Sequence, residues 1–284
     1  MEFINDIMQY EFLQRALLTS VIVGIICGTI GSFIILRGLS LMGDAISHAV
    51  LPGIAISFML GINFFYGAVI AGVLTTIGIG FVTQNSRIKN DTSIGIVFAA
   101  AFALGILLIT KAQTAIDLTQ ILFGNVLSVR PSDMWMTIIV GIIVLVTVFI
   151  FYKELLVSSF DETMAAAYGL PTRFIHYIIM ILLTLATVAS LQTVGVVLVI
   201  AMLITPAATA YLLTDRLSTM IFMSMFFGAI SSIIGLYFSF KYNLASGPVI
   251  VLVTTAFFIL AFIFSPKYGM LWRSLRSRRN KAVY

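Results

Sequence analysis

Of the 284 residues in this chain, 61% are hydrophobic and only 10% are charged, and the mean hydropathy is +1.13. A soluble domain carries roughly 25% charged residues, so this composition excludes one and predicts an all-α polytopic membrane protein. The net charge of +5 is no argument for nucleic acid. Lys267, Arg273, Arg276, Arg278, Arg279 and Lys281 crowd the tail at 267–284, the pattern of a cytoplasmic anchor facing anionic headgroups.

The opening stretch MEFINDIMQYEF is acidic and lacks a basic n-region or small-residue cleavage site, so no cleaved signal is expected. Apolar runs of about twenty residues then predict nine spans, at 12–36, 39–60, 63–83, 92–110, 134–151, 174–190, 194–213, 219–240 and 248–264. The count falls to eight if the sixth and seventh, parted only by LQTVG, form one broken element. Together they make a single transmembrane domain over 1–284. Arg87, Lys89, Lys153, Arg173, Arg216 and the basic tail all fall on one side under nine spans. The positive-inside rule makes that side the cytoplasm and leaves the N-terminus outside. Lys111, Arg130 and Lys241 are exceptions, and Arg15 lies where it can snorkel to the outer surface.

Gly24, Gly28 and Gly31 form a small-residue stripe on the first span, which predicts close helix packing inside the subunit rather than a dimer seam. The lone Cys27 excludes an intramolecular disulfide and a thiolate metal cage within one chain.

The second span, LSLMGDAISHAVLPGIAISFML, carries Asp44 and His48. A charge at mid-bilayer costs about 2.5–3.5 kcal/mol on insertion scales, and ionisable groups there default to function. Positions i and i+4 share a helical face, so the two side chains project together. Pro52 has no N–H to offer the His48 carbonyl, which predicts a freed backbone oxygen beside them. Against a plain hydrogen-bonded pair pinning neighbouring helices stands a cation ligand set. Carboxylate plus imidazole suits Mn²⁺ or Zn²⁺ and lacks soft sulfur, with Met42 a weak further neighbour. Two ligands are too few for one subunit, and a second copy across a two-fold axis supplies two more.

Outside the spans, 111–130 is moderately apolar and reads as an interfacial or re-entrant helix on the outer side, with Asp117 solvated or capping. The segment KELLVSSFDETMAAAYGLPTR reads as a short cytoplasmic helix. Ser158 or Asp161 caps it, Glu162 favours its N-terminal dipole, and Gly169 and Pro171 stop it. It is a docking element in search of a partner. His176 belongs near the cytoplasmic end of its span. Pro206 leaves the Met202 carbonyl without a partner, and Thr205 and Thr209 supply hydroxyls beside it. That outlines a kinked, pathway-lining helix, unless the threonines bond back to their own helix. Asp133, Glu154 and Asp215 sit at span ends, solvated or capping. No G-x-x-x-x-G-K-[ST] loop, H-E-x-x-H pair, Arg-rich sensor or TVGYG filter occurs, which removes the P-loop ATPase and zincin readings and the channel readings.

GLSLMGDAISHAVLPG at 38–53 and SFDETMAAAYGLP at 159–171, joined by a Gly-rich third span, resemble the permease subunits of ABC-type manganese/zinc importers, particularly the streptococcal manganese branch. The likeness covers essentially the whole chain, although the cytoplasmic helix departs in spacing from the general coupling motif. The resemblance implies a homodimer in a bacterial plasma membrane, similar in fold to the cobalamin and siderophore permeases. It also implies a separate cytoplasmic ATPase dimer and an extracellular metal-binding lipoprotein. Asp44 and His48 match the family's cation site. Phe160, Asp161, Glu162, Ala165, Tyr168, Gly169 and Leu170 fall in its ATPase-coupling helix. The chain itself is then no enzyme and holds no permanent cofactor; Mn²⁺, or next Zn²⁺, is cargo moved by alternating access. A metal carrier independent of any ATPase and a permease for a metal chelate are the rival readings.

Overall fold

The computed structural model describes residues 9–111, 126–265 and 269. Among these residues the regular structure is helical only. The helices are α1 Glu11–Arg37, α2 Ser40–Ala49, α3 Leu51–Leu60, α4 Phe64–Asn85 and α5 Asn90–Lys111, then, after a 3-10 turn at Val126–Ser128, α6 Pro131–Ile150. Next come α7 Tyr152–Phe160, α8 Glu162–Ala167, α9 Thr172–Val194, α10 Val196–Leu213, α11 Leu217–Tyr242 and α12 Ser246–Phe264. Taking α2 and α3 as one broken span, nine of the described elements are long and apolar enough to cross a membrane. The expected helix at 111–130 lies mostly outside the described residues, as do Asp117, the basic side chains of the tail and the acidic stretch before residue 9.

The sixth and seventh spans are separate helices, which removes the eight-span alternative. The break is not the whole LQTVG stretch, since α9 runs on to Val194. It is one residue, Gly195, at φ 84° and ψ 163°, a conformation that side-chain-bearing residues avoid. The second span is also broken, between α2 and α3 at Val50, with Pro52 in the first turn of α3. Proline is tolerated there because a first-turn N–H has no intrahelical partner to lose.

Helix α1 runs through the centre of the bundle. Its glycine stripe meets α11 and α10 within the same chain, as predicted. A Cβ added at Gly24 would lie 2.7 Å from the Gly228 carbonyl, and one at Gly28 would lie 2.8 Å from that of Ser224. At Gly31 the Leu203 carbonyl occupies the space a side chain would need. Hydrogen bonds lock the crossing: the Ser224 hydroxyl donates to the Gly28 carbonyl at 2.8 Å and Ser232 donates to Ser20 at 2.9 Å. Lipid tails are as apolar as leucine, so such backbone approach and interhelical bonding, rather than hydrophobic burial, hold the helices together. Cys27 is buried in the same bundle, its sulfur 3.7 Å from the Ser190 hydroxyl.

Candidate cation site on the broken second span

Asp44 and His48 lie one turn apart on α2, with Nε2 3.5 Å from Oδ1. Their side chains are 48% and 24% exposed respectively, and Leu41, one turn before Asp44, is also exposed. One face of α2 is therefore left uncovered by its own chain, and the carboxylate and the imidazole open onto it together. Among the described residues no third His, Cys, Asp or Glu joins them to make a metal-binding group. Met42 is fully buried and is not on this open face.

The covered side of His48 is aromatic. The Phe102 ring meets the imidazole edge-on at 5.6 Å between centroids, and Phe98 lies tilted at 6.0 Å. Both come from α5 and touch each other at 5.8 Å. Neither was singled out in the sequence, where they are two of 23 phenylalanines.

The freed His48 carbonyl expected from Pro52 is not found. At the break, cap backbone N–H groups donate to the His48 and Ile46 carbonyls, and the ladder restarts with Ile54 donating to Val50 at 3.1 Å. Tightening the last turn of α2 supplies the donor that proline lacks.

Helix α10 comes beside the site at Leu203, whose Cδ1 lies 2.9 Å from a Cβ built on Gly43. Pro206 and Thr209 are buried and Thr205 is partly exposed. The Thr209 hydroxyl donates to the Thr205 carbonyl at 2.7 Å, so it bonds back to its own helix.

At the other end of α1, Arg37 reaches away from the axis. Its Nη2 donates to the Ser158 hydroxyl at 2.6 Å, Nε donates to Ser159 at 3.2 Å, and Nη1 lies 3.5 Å from His176 Nδ1. This ties α1 to α7 and α9 immediately before the predicted cytoplasmic helix, which the structure divides in two. Asp161 caps the second part, α8: Oδ1 accepts from the Thr163 hydroxyl at 2.6 Å and from the Met164 N–H at 2.9 Å. The Thr163 bond first, then the Met164 bond, holds the Asp161 carboxyl below the usual aspartate range. Ala165 is buried against the protein, and Glu162 is exposed. Gly169, at φ 79°, ends the helix as Leu170 donates back to the Ala165 carbonyl at 3.1 Å. Phe160, Met164 and Tyr168 are exposed. Met164 was missed in the sequence because it sits between the capping residues and the alanines. Beside Phe160 a cavity of about 190 Å³ is lined by Leu36, Tyr211, Asp215 and Met220 among others.

Among the described residues, nine helices long and apolar enough to cross a membrane mark a multi-pass membrane protein. The chain belongs to the ABC 3 transport family, whose profile matches residues 9–265. It is 66% identical over 276 residues to the manganese transport system membrane protein MntC of Listeria monocytogenes, covering 97% of this chain and 99% of that one. To the manganese import system permease protein ScaB of Streptococcus pneumoniae it is 48% identical, covering 94% and 95%. Among solved structures, PsaBC from Streptococcus pneumoniae in complex with Fab matches with TM-score 0.85 and 52% identity, over 94% of this chain and 96% of that chain. A structure described as an inward-facing conformation of a metal-chelate type ABC transporter shares the fold alone, at TM-score 0.69 and 16% identity.

Proposed function

We propose that this chain is the permease of an ATP-driven importer of divalent manganese, with Asp44 and His48 as the protein ligands of the ion in transit. The observation that carries this reading is the open face of α2. A carboxylate and an imidazole stand one turn apart there, both partly exposed. The names of the relatives at 48% and 66% identity support manganese as the cargo.

A second copy, related by a two-fold axis, brings its own pair to the same space, so that two oxygens and two nitrogens with waters complete the shell. Zinc takes the same donors, and selectivity between the two rests on geometry and availability. The N-terminus lies outside the bacterial plasma membrane and the C-terminus in the cytoplasm, where α8 docks on a separate ATPase dimer. A metal-binding lipoprotein delivers the ion from outside. ATP-driven closure of the ATPases moves α7 and α8, and the paired second spans alternate between outward and inward access. A sparse, hydrated site suits transport because tight binding would oppose release.

The test is metal accumulation in cells expressing the wild type, Asp44→Ala or His48→Ala, each with and without the partner ATPase. Manganese uptake that requires both side chains and the ATPase is expected, at unchanged abundance of the permease in the membrane. Uptake without the ATPase would make the chain a secondary carrier. Wild-type uptake in both variants would return the pair to a packing role.

A further inference from the structure

The nine spans differ sharply in how much of their surface the protein covers, and α5 is covered least, with 17% of its apolar window buried. Most of α5 is exposed, yet it turns one face inward, with Ser93, Ile94 and Gly105 buried and Phe98 and Phe102 partly buried on the same side. Gly105 is the seat. A Cβ there would lie 2.8 Å from Leu51 Cβ and 3.0 Å from the Pro52 Cδ and nitrogen, so α5 rests directly on the break in the second span. Pro52 is one turn beyond His48, and Phe102 is just under one turn before Gly105. Seating Gly105 on Pro52 therefore brings Phe102, and Phe98 one turn further back, onto the imidazole.

In a bilayer this arrangement is not accounted for by hydrophobicity, because lipid receives a phenylalanine as readily as protein does. What the two rings do is specific to His48. An imidazole ligates through a nitrogen lone pair in the ring plane, so rotation of the ring moves the donor away from the ion. Groups packed around a metal-binding histidine set that orientation. The two rings cover one side of the imidazole, while Nε2 lies 3.5 Å from the Asp44 carboxylate.

We propose that Phe98 and Phe102, registered by Gly105 against Pro52, are positioning residues that hold the His48 imidazole in its ligating orientation and close its far side. The inference rests on the reading of Asp44 and His48 as ion ligands. It assigns α5, a span with no ionisable group near the site, a direct part in setting the affinity of the permease for its ion.

The test is the KM and maximal rate of Mn²⁺ uptake by cells carrying the full importer, at matched permease abundance. Phe102→Ala, Phe102→Leu and Phe102→Tyr are compared with the wild type and with His48→Ala. Loss of a hydrogen-bonded partner that orients a metal ligand weakens affinity by about 10–100-fold, and the lower end of that range is taken for rings that orient it by packing. Phe102→Ala and Phe102→Leu are therefore expected to raise KM about tenfold or more with the maximal rate little changed, while Phe102→Tyr stays near wild type. If Phe102→Ala fails to reach the membrane, the Leu and Tyr variants carry the comparison. A Phe102→Leu variant with wild-type KM would make Phe102 a space-filler and overturn the proposal. The parallel variant separates the two ideas: wild-type KM in all Phe102 variants with uptake abolished by His48→Ala rejects the aromatic wall alone. Undiminished uptake in His48→Ala rejects the site itself.

Discussion

The guanidinium of Arg37 donates to the hydroxyl of Ser158 at 2.6 Å across 121 residues of chain. This joins the end of the central helix to the segment that leads into α8. With Ser159 also bonded and His176 within 3.5 Å, Arg37 is a three-way tie between α1, α7 and α9. A displacement of α8 would pass to α1 through these bonds, and α1 in turn meets α10 where Gly31 packs on Leu203. Hydrogen bonds to a charged donor contribute about 1.5–3 kcal/mol each. Arg37→Ala is expected to lower the ions moved per ATP hydrolysed in reconstituted complexes while the ATPases continue to turn over. Arg37→Lys, which keeps charge but loses the fork, falls between the two. Unchanged stoichiometry in Arg37→Ala would show that the tie carries no motion.

The crossing of α1 and α11 tolerates no added carbon. A methyl at Gly24 meets the Gly228 backbone at 2.7 Å, and overpacking of this kind costs about 1–3 kcal/mol. Gly24→Ala is expected to lower the thermal midpoint of the purified permease. A Cβ at Gly95 meets nothing within 4 Å, so Gly95→Ala stays within about 0.5 kcal/mol of wild type. Equal midpoints for the two variants would contradict the packing described.

Thr76 on α4 and Thr184 on α9 share a buried hydroxyl contact at 2.8 Å, and the Thr184 hydroxyl donates to the Met180 carbonyl at 2.9 Å. The proton order then makes Thr76 the donor to Thr184. Thr76→Val is expected to cost about 0.6 kcal/mol, the average for interhelical bonds in membrane proteins. A double-mutant cycle with Thr184→Ala isolates that coupling, and a cycle energy of zero would remove the bond from the account of stability.

The cap of α8 depends on an ionised Asp161. Its carboxyl is held below the ordinary aspartate range by the Thr163 hydroxyl and the Met164 N–H, so the folded value is depressed. The stabilisation is then fully present above the unfolded pKa and is lost as pH falls through the folded one. Hydrogen-exchange protection at 162–167, taken relative to the intrinsic rate at each pH, should be higher at neutral pH and fall under acid in the wild type. In Asp161→Ala the protection should be low at both, and a variant that keeps the wild-type pH response would place the titrating group elsewhere.

Much of this protein was legible in the sequence because the decisive physics is local. A run of about twenty apolar residues is enough to declare a span, and i, i+4 spacing is enough to put Asp44 and His48 on one face. The sequence offered Ser158 or Asp161 as the cap of the cytoplasmic helix and the structure uses Asp161 for α8, and the glycines of α1 announced close packing without naming the helix they meet. What the sequence left open was which surfaces face one another. Gly24 meets Gly228 and Arg37 meets Ser158, and the His48 ring rests on Phe102. All three contacts join distant parts of the chain through residues that local pattern leaves equivalent to their neighbours. In water the buried face of a helix is written in its polarity. In lipid the outward and inward faces are equally apolar, so the tertiary packing alone decided which two of the many phenylalanines would stand behind the histidine.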